Sequence, residues 1–320
     1  MHIRFPWSAA AVLLLTAISA FPASADFLVS GTENNTIYRF SETTGEFLGN
    51  LLGPSDGLNG PVGMRVGPDG NLYIANQGSG VIQKYDFGTG QLSTFANTGF
   101  APSDIQFTAS GDLLTSDFAG SNVFRFDLAT GNNLGAFTSN GSLISPTNML
   151  FHGDYLYVSS LFSSEVQRFD ALTGEYHDTF VTAASGGLDF PAGLTYGPDG
   201  NLYVSSVNNN KVIRYDGITG APLDPVPFLE IPFFFPTDNV WVGDDLYLLS
   251  AGGFGVYKYD GENVTPFAFL TDGDGNFIPM GISGQILVAT VPEASSVVLC
   301  GVAGMLGCGA WLRRRRKSAN

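Results

Sequence analysis

A short motif that combines a basic residue, an aromatic residue and an aspartate recurs along this chain and could form a reactive site. It reads "KVIRYDGITG" at 211–220, and related stretches are "VIQKYDFGTG", "NVFRFDLATG" and "EVQRFDALTG". Side chains i and i+2 of a strand share a face, so each basic residue would lie beside its aspartate. Copies in different repeats cannot converge on one substrate, and D-x-x-T-G is typical of a hairpin turn closed by an Asx hydrogen bond and a glycine. We therefore interpret the motif as structural, with the basic charge meeting the aspartate. The basic position holds Arg39, Lys84, Arg125, Arg168, Arg214 and Lys258, and the acidic position holds Asp86, Asp127, Asp170, Asp216 and Asp260, with Ser41 in the first copy.

Three polar residues form a second candidate site because they occupy the same position in three repeats. Asp104, Asn148 and Asp238 each stand two residues after a proline, at the start of a short apolar stretch. Two carboxylates and an amide around a common axis could hold a hard cation such as Ca²⁺, which makes these residues our metal-binding and ligand-binding candidates. The alternative is that each side chain caps backbone N–H groups at its strand entry. The same position holds glycine in the other repeats, namely Gly63, Gly193 and Gly281.

Two further stretches could bind ligands. The run "FLEIPFFFP" at 228–236 places Phe233, Phe234 and Phe235 between two repeats. If these rings are exposed, they form an apolar patch suited to carbohydrate, lipid or protein contact; the alternative is that they pack in the core. The stretch "DGDGNF" at 272–277 imitates a calcium loop but lacks glycine at its sixth position and glutamate at its twelfth,. We interpret it as an acidic turn.

Six repeats must position these candidates. Prolines at 61, 102, 146, 191, 236 and 279 open the repeats, at spacings of 41 to 45 residues. Each repeat has a first strand such as "PVGMRV", a tight turn such as "GPDGN", a second strand such as "LYVSS", the basic–aromatic–Asp strand and a more variable fourth strand. Four short strands per repeat, with Gly, Asp and Asn turns and no helical periodicity, are typical of a propeller blade. We predict an all-β fold, a six-bladed β-propeller of four-stranded blades over residues 26–290.

The two ends of the repeat array compete for the last blade. The chain has a second-strand-like stretch, "DFLVSG", near its start, and a first-strand-like "PMGISG" followed by another second-strand-like "QILVAT" near residue 290. We predict that "PMGIS" completes the blade begun by residues 27–50. Either 27–31 or 286–290 would then lie outside the regular ladder.

The repeats resemble a known group of propellers. The stretch "GPDGNLYVSSVNNNKVIRYD" at 197–216 is similar to the repeats of NHL-type propellers and of the wider SMP-30/gluconolactonase and streptogramin-lyase-like superfamily. The resemblance covers nearly all of residues 27–290 and implies architecture rather than activity. It also implies metal-binding acids and amides directly after the proline, where this chain has no acid. Because a one-residue slip turns a side chain to the opposite face, those family residues are not carried over.

Binding is expected on one face of the propeller. Loops after second strands and segments between blades share a face, which we call the loop-rich face, and they vary from repeat to repeat. The turns after first and third strands are short and uniform, and they form the opposite turn face. Binding residues concentrate on variable loops held by a rigid frame, so we predict function on the loop-rich face and the channel mouth beneath it. Beyond the first 25 residues the histidines are His152 and His177, placed away from that face, and no Ser–His–Asp or Cys–His set can be assembled,.

The first 25 residues predict a secretory signal peptide. A weakly basic start precedes the apolar stretch "SAAAVLLLTAISAF", and Ala23-Ser24-Ala25 forms a small-residue cleavage site,. The alternative is a buried N-terminal helix.

The last 30 residues, "VPEASSVVLCGVAGMLGCGAWLRRRRKSAN", predict membrane targeting. The apolar run 295–312 is near the lower length limit for crossing a bilayer, and the basic cluster 313–317 would stay cytoplasmic,. The segment 291–320 resembles the PEP-CTERM sorting signals of bacterial exported proteins, which implies processing by an exosortase-like enzyme. Ala294 stands where that family usually has a second proline. The alternative is a permanent transmembrane-like C-terminal anchor.

Composition excludes several classes of function. Of the 14 lysines and arginines, Arg4 and the five residues 313–317 lie outside residues 26–290, which leaves eight, whereas 28 of the 29 acids lie inside. A nucleic-acid partner is therefore not expected, because phosphate neutralisation needs a basic surface. Both cysteines, Cys300 and Cys308, belong to the tail, so the propeller has neither a disulfide nor a cysteine metal site,.

We predict an exported, monomeric propeller of the cell envelope or cell surface. Its expected role is that of a binding module, with an envelope polysaccharide or a surface protein as partner. The alternative is a lactonase-like or lyase-like enzyme with a divalent cation at the channel mouth; a third class is a purely structural surface protein. No cofactor other than Ca²⁺ is indicated.

Overall fold

The computed structural model describes residues 25–223, 227–230, 235–252, 255–271, 277–278, 280 and 284–291. Six four-stranded antiparallel sheets form the blades of a β-propeller, which confirms the predicted all-β fold and the number of blades. The described residues contain two short 3₁₀ turns, Pro54–Asp56 and Ser185–Gly187, and no α-helix. They also include no helix long and apolar enough to cross a membrane. The predicted signal peptide, except for Ala25, and all but Val291 of the predicted sorting tail lie outside the described residues.

The strands are short, as their repeat spacing predicts. The first thirteen strands are β1 (Ala25–Gly31), β2 (Thr36–Ser41), β3 (Phe47–Leu52), β4 (Pro61–Val66), β5 (Leu72–Asn76), β6 (Val81–Asp86), β7 (Gln91–Asn97), β8 (Pro102–Phe107), β9 (Leu113–Asp117), β10 (Val123–Phe126), β11 (Asn133–Ala136), β12 (Pro146–His152) and β13 (Tyr155–Ser160). The remaining strands are β14 (Glu165–Asp170), β15 (Tyr176–Val181), β16 (Pro191–Tyr196), β17 (Leu202–Ser206), β18 (Lys211–Tyr215), β19 (Leu229–Glu230), β20 (Pro236–Val242), β21 (Asp245–Ser250), β22 (Gly255–Tyr259), β23 (Val264–Ala268), β24 (Leu270–Thr271), β25 (Phe277–Ile278) and β26 (Ile286–Thr290).

Strand order within the blades follows the chain, except in blade 1. Blades 2 to 6 are β4 to β7, β8 to β11, β12 to β15, β16 to β19 and β20 to β23, each beginning with its innermost strand, and β24 pairs with β25 in a separate small hairpin. Blade 1 has the order β26–β1–β2–β3, so the last strand of the chain joins the first three.

Closure of the ring differs from the prediction. Neither end strand lies outside the ladder, because β26 is the inner strand of blade 1 and β1 is its second strand, with Val29 opposite Ile286 and Ala25 opposite Thr290. The sixth inner strand therefore begins at Ile286, seven residues after the position that proline spacing indicates. β26 pairs with β1 through its backbone, and its apolar side chains pack on both sides of the blade, Ile286 on one side and Ala289 on the other. The prediction that residues 279–283 complete the blade is wrong.

The core lies between neighbouring blades. Second strands such as Leu72–Asn76 and Leu202–Ser206 are buried at every residue, because both of their faces pack against adjacent blades. Tyr73 of blade 2 and Ile105 of blade 3, for example, belong to one buried cluster. This two-sided burial explains why these strands read as continuous apolar and small residues rather than as a strict alternation.

The basic–aromatic–Asp motif is structural, as expected, but its charges pair differently. In the turn that ends the third strand, the Asp216 carboxylate accepts the N–H groups of Ile218 and Thr219, at 3.1 and 2.8 Å. Since that turn occupies the aspartate, the basic side chain finds its carboxylate on the neighbouring strand or its turn, so the expected pairing with the aspartate two residues on is wrong. The observed pairs are Arg39 with Asp26, Lys84 with Asp69, Arg125 with Asp112, Arg168 with Asp178, Arg214 with Asp199 and Lys258 with Asp245.

A β-bulge opens five of the six inner strands. The register of β4 against β5, for example, shifts between Pro61 and Met64, and the equivalent shift occurs in β8, β12, β16 and β20. A bulge re-aims the side chains of the residues it contains. Three of these bulges hold the predicted ligand candidates Asp104, Asn148 and Asp238.

Candidate functional site

The candidate residues Asp104, Asn148 and Asp238 belong to a ring of equivalent positions around the propeller axis. The structure corrects one member of this ring: the sixth position is Gln285, the residue directly before β26, and not Gly281. Asp104, Asp238 and Gln285 are buried, and Asn148 is 9% exposed. In chain order the ring reads Gly63, Asp104, Asn148, Gly193, Asp238 and Gln285.

Each polar side chain of this ring bonds the next blade. The inner strand of a blade is an edge strand, so its axis-facing backbone groups have no ladder partner. The ring side chain of one blade accepts the N–H that follows the ring position in the next blade. The four bonds run from Met149 N to Asp104 Oδ2 (2.7 Å), Leu194 N to Asn148 Oδ1 (3.3 Å), Ile286 N to Asp238 Oδ2 (2.9 Å) and Met64 N to Gln285 Oε1 (3.0 Å).

The two ring glycines allow adjacent blades to touch directly. A Cβ on Gly63 would lie 2.3 Å from the Ser103 carbonyl oxygen and 2.6 Å from Asp104 Cα. A Cβ on Gly193 would lie 2.6 Å from Asp238 Cα. All three distances are shorter than any tolerable contact, so these two positions exclude side chains.

The ring has an internal two-fold pattern. Starting at Gln285, it reads amide, glycine, aspartate and then again amide, glycine, aspartate, so Asp104 and Asp238 lie in opposite blades. Gln285 is one methylene longer than Asn148, and its Nε2 reaches over Gly63 to Asp104 Oδ1 at 2.7 Å. Asp104 thereby accepts three hydrogen bonds, from Gln285, Met149 and the Ile105 N–H at 2.7 Å.

Burial shifts the protonation of both aspartates. Burial raises the pKa of Asp238 to about 7 against the lowering effect of the Ile286 N–H, and the Asp104 charge adds to the rise. Burial also raises the pKa of Asp104, which the Arg65 charge and the three hydrogen bonds oppose. Arg65 lies two residues beyond the ring and donates from Nε to the Ile105 carbonyl at 3.1 Å.

The ring residues serve blade contacts, and their oxygens are engaged in the bonds above. Among the described residues, no group of three or more His, Cys, Asp or Glu side chains is placed to share a metal ion. The hydrogen bonds match the capping alternative, with the difference that the capped N–H groups belong largely to the next blade. Ca²⁺ binding by Asp104, Asn148 and Asp238 stays a prediction.

The channel mouth on the loop-rich face is a small, uncharged cavity. Its volume is about 200 Å³, and a second chamber of about 230 Å³ lies on the other side of the polar ring. Asn148 and Gln285 line both chambers and so mark the constriction between them. None of the twelve described residues that line the mouth has a titratable side chain. They are Val62, Gln77, Ser103, Phe118, Thr147, Asn148, Leu161, Ala192, Val207, Thr237, Gly284 and Gln285.

Aromatic residues of the loop-rich face lie in the segments next to residues that line this mouth: Phe162 follows Leu161, and Phe190 and Phe235 each stand two residues before a lining residue. Phe162 is 54% exposed and packs edge-on against Phe190, with ring centroids 5.3 Å apart. Phe235 is 46% exposed, and Phe233 and Phe234 lie outside the described residues, so the apolar patch of three rings stays a prediction. Phe162 and Phe190 were not among the predicted site residues, although their repeat positions, just after a second strand and directly before a proline, place them on the loop-rich face.

Two of these aromatic residues have a strained backbone. Phe190 and Phe235 directly precede the proline of their blades and have φ values of 58° and 62°. The equivalent residues of blades 2 and 4 are Gly60 and Ser145, with φ 61° and 53°. The carbonyl at this position accepts the N–H that follows the second strand, as between Val207 N and Phe190 O at 3.1 Å. A bulky residue in this region costs about 1 to 2 kcal/mol, so glycine would serve the fold better.

The histidines lie on the turn face, away from this mouth. The His152 ring stacks on Tyr196 at 3.6 Å between centroids, and the His177 ring lies 4.6 Å from that of Tyr155. His177 and Tyr155 line a groove of about 810 Å³ between blades 3 and 4.

Comparison with known proteins identifies the fold. No protein-family model and no curated protein matches the chain. Solved structures do: a virginiamycin B lyase of Staphylococcus aureus, a catalytically inactive variant with quinupristin, matches at 17% identity and TM-score 0.54, over 77% of this chain and 85% of the lyase. A streptogramin B lyase matches at 15% identity and TM-score 0.58, over 85% and 92%. A chain of a nidogen/laminin complex matches at 13% identity and TM-score 0.65, over 84% and 100%. They share its fold.

These similarities show a shared architecture and do not show a shared function. The matched proteins include a lyase and a propeller from a protein–protein complex, so one fold carries both kinds of function,. Membership of the NHL or SMP-30 groups and the PEP-CTERM nature of the tail stay predictions.

Proposed function

We propose that this protein is a non-catalytic binding module of the cell envelope or cell surface, whose loop-rich face holds a protein partner. The observation that carries the proposal is the strained backbone of Phe190 and Phe235. A fold that tolerates phenylalanine where glycine fits better retains the side chain for another purpose, and strain of this kind concentrates at functional sites.

The size and chemistry of the mouth favour a protein over a small molecule. A cavity of about 200 Å³ is smaller than the roughly 300 to 1,000 Å³ of typical small-molecule sites, and it suits one or two inserted side chains,. Phenylalanine offers no hydrogen bond to a sugar, whereas aromatic side chains are enriched at the centres of protein interfaces. The exposed rings of Phe162 and Phe235, on the same face as the cavity, fit such an interface.

The described residues that line the mouth lack the groups that an enzyme of the lactonase or lyase type would need. General acid–base catalysis requires a titratable side chain within reach of the substrate, and no described residue lining the mouth has one,. His152 and His177 lie on the turn face. The enzyme alternative would therefore depend on a cation held near Asp104 and Asp238, whose oxygens already accept backbone N–H groups.

Site-specific photocrosslinking at the cell surface tests this proposal. A benzophenone amino acid at position 162 or 235 is expected to yield a discrete crosslinked species on intact cells. The matched controls are Leu172 and Ile218, which are equally apolar and more exposed but lie on the turn face. Two results would support a protein partner: the captured species is sensitive to protease, and capture is lost when Phe190→Ser is combined with the labelled position.

Three outcomes would overturn the proposal. A captured species that resists protease but is degraded by periodate would identify a polysaccharide. Equal capture from the two faces would show that the mouth has no special role. Lactone hydrolysis by the purified protein that Asp238→Ala abolishes would establish the enzyme alternative.

A further inference from the structure

Both ends of the propeller leave from the turn face. β26 begins beside Gln285, which lines the mouth on the loop-rich face, and ends at Thr290 opposite Ala25, the first residue of β1. The next residue, Val291, is buried in the core cluster between blades 1 and 2. The chain therefore continues beyond Val291 from the face opposite the mouth.

Very little chain separates this exit from the apolar run. Only Pro292, Glu293 and Ala294 stand between Val291 and Ser295. At about 3.5 Å per residue, Ser295 can lie no more than about 14 Å from Val291. As a helix, the 18-residue run 295–312 would span about 27 Å, against a hydrocarbon core of about 30 Å, so an inserted run leaves Ser295 at the interface.

The position of β26 then restricts how the propeller can sit. Since β26 is the innermost strand of blade 1, Val291 emerges near the axis, and three more strands, each about 4.8 Å further out, separate it from the rim,. The loop-rich face is a further strand length away, about 17 Å for five residues,. A tether of about 14 Å falls short of the loop-rich face, and it would have to be fully extended along the blade to reach the outer strand,.

We propose that, whenever the apolar run is inserted in a bilayer, the turn face lies against the membrane–water interface on the exported side. The loop-rich face then points away from the membrane. The proposal rests on the exit point of β26 and the length of chain that follows, and it holds whether or not the mouth binds a protein.

The turn face has chemistry that selects the lipid. Leu172 and Ile218 are 78% and 84% exposed at equivalent turn positions of the adjacent blades 4 and 5, where they can enter the interface. The neighbouring residues Asp170 and Asp216 are partly exposed, and hydrogen bonds from the backbone of Thr173 and from the Thr219 side chain lower the pKa values of their carboxylates, so they are charged. Such a face is repelled by anionic lipid. The surface it fits is therefore made of zwitterionic headgroups.

Lipid-borne quenching of a fluorescent label tests this orientation. The full chain, with Cys300→Ala and Cys308→Ala, is reconstituted into phosphatidylcholine vesicles with a single label at Leu172→Cys or Ile218→Cys. The matched labels on the other face are Phe162→Cys and Phe235→Cys. A quencher placed at the headgroup level is expected to reduce emission from the turn-face labels at least about twofold more than emission from the loop-face labels. Vesicles without quencher provide the reference intensity.

The same measurement can overturn the proposal in three ways. Equal quenching of the labels on both faces would show a side-on or random orientation. Stronger quenching of the loop-face labels would reverse the assignment. Absence of quenching at all four positions, in protein that floats with the vesicles, would show that the propeller stands clear of the lipid. Replacing about a third of the lipid by phosphatidylserine at low salt is expected to weaken quenching at positions 172 and 218, and an increase would contradict the choice of zwitterionic lipid.

Discussion

At the scale of single residues, the two opposite ring aspartates have different surroundings. Asp104 accepts three hydrogen bonds, one of them from the Gln285 amide, so an asparagine would place a donor against a donor. Asp238 accepts the Ile286 N–H through Oδ2, as Asn148 accepts the Leu194 N–H of the next blade, and the Asn239 N–H also lowers the pKa of Asp238. An asparagine has the shape of the protonated acid and can keep the bond from Ile286, so it fits at position 238.

Asp238 is expected to make stability decrease as pH rises. Its folded-state pKa of about 7 lies above the unfolded value of about 3.9, so between these values the native protein holds a proton that the unfolded chain has lost,. Its contribution is complete below about pH 4 and is lost as pH rises through 7, with a slope of up to about 1.4 kcal/mol per pH unit. Urea unfolding between pH 5 and 8 should show this slope, and Asp238→Asn should reduce it; Asp104, whose pKa burial also raises, can contribute to the slope that remains,.

Asp69 provides the matched control for that titration. Burial pushes its pKa up, but hydrogen bonds from Lys84, Asn71 and Tyr73 outweigh burial and hold the pKa at about 2. Its contribution to stability is present above about pH 4 and is lost only as pH falls toward 2. Asp69→Asn should leave the slope between pH 5 and 8 unchanged, and a slope that is undiminished in Asp238→Asn would assign the effect to another group.

Phe235 is expected to tolerate glycine better than alanine. With φ at 62° and the side chain half exposed, glycine removes the backbone strain, whereas alanine keeps the strain and loses the ring,. Phe235→Gly should be more stable than Phe235→Ala by about 1 kcal/mol in chemical denaturation. Phe162 is equally exposed without a left-handed backbone, so there the order should reverse. The same order at both positions would mean that strain at 235 is not the cause.

At the scale of elements, the inner strands need either a polar side chain or a glycine at the ring. Gly63→Ala should destabilise the protein by about 3 kcal/mol, because its Cβ would lie 2.3 Å from the Ser103 carbonyl oxygen and would force blades 2 and 3 apart,. Gly53→Ala is the matched control, since its nearest neighbour would be Asp56 Oδ2 at 3.9 Å. Thermal denaturation compares the two, and similar melting temperatures would refute the role of Gly63 in blade contact.

The third strands show how much of an element is readable from sequence. The turn that Asp216 closes depends on hydrogen bonds from residues only two and three positions away, and such local bonds can be predicted from sequence,. The partner of Arg214 is Asp199, on the turn before the second strand, and strand pairing has to be known before this contact can be predicted. A local rule placed the charge correctly on its strand and assigned it the wrong carboxylate.

At the scale of the whole molecule, β26 closes the ring. It supplies Gln285 and Ile286 to the contacts with blades 2 and 6 and covers the inner edge of β1. A chain that ends after Val291 should fold, whereas one that ends after Gly284 exposes Phe27, Leu28 and Val29, which are fully buried in the closed ring. The shorter chain should lose cooperative unfolding and become protease-sensitive. Equal urea midpoints for the two chains would contradict a role of β26 in closure.

The sequence by itself determined the six blades, the four strands of each blade, the closing turns and the face on which the loops vary. These features depend on hydrogen bonds between near neighbours and on the alternation of side chains, and both repeat every 41 to 45 residues. Sixfold repetition also made single deviations, such as the position of Asp104, Asn148 and Asp238, visible without a structure.

Only the tertiary structure decided which strand closes the ring, what the ring aspartates bond, and where the chain leaves the propeller. Ser30 and Gln285 are 255 residues apart and yet hydrogen-bonded, and no local pattern records a contact of that separation. The inner strands are edges whose axis-facing N–H groups need acceptors, and the nearest acceptor comes from the next blade. Packing of six blades around one axis therefore places the candidate cation residues in contacts between blades, and Ca²⁺ binding by them stays a prediction.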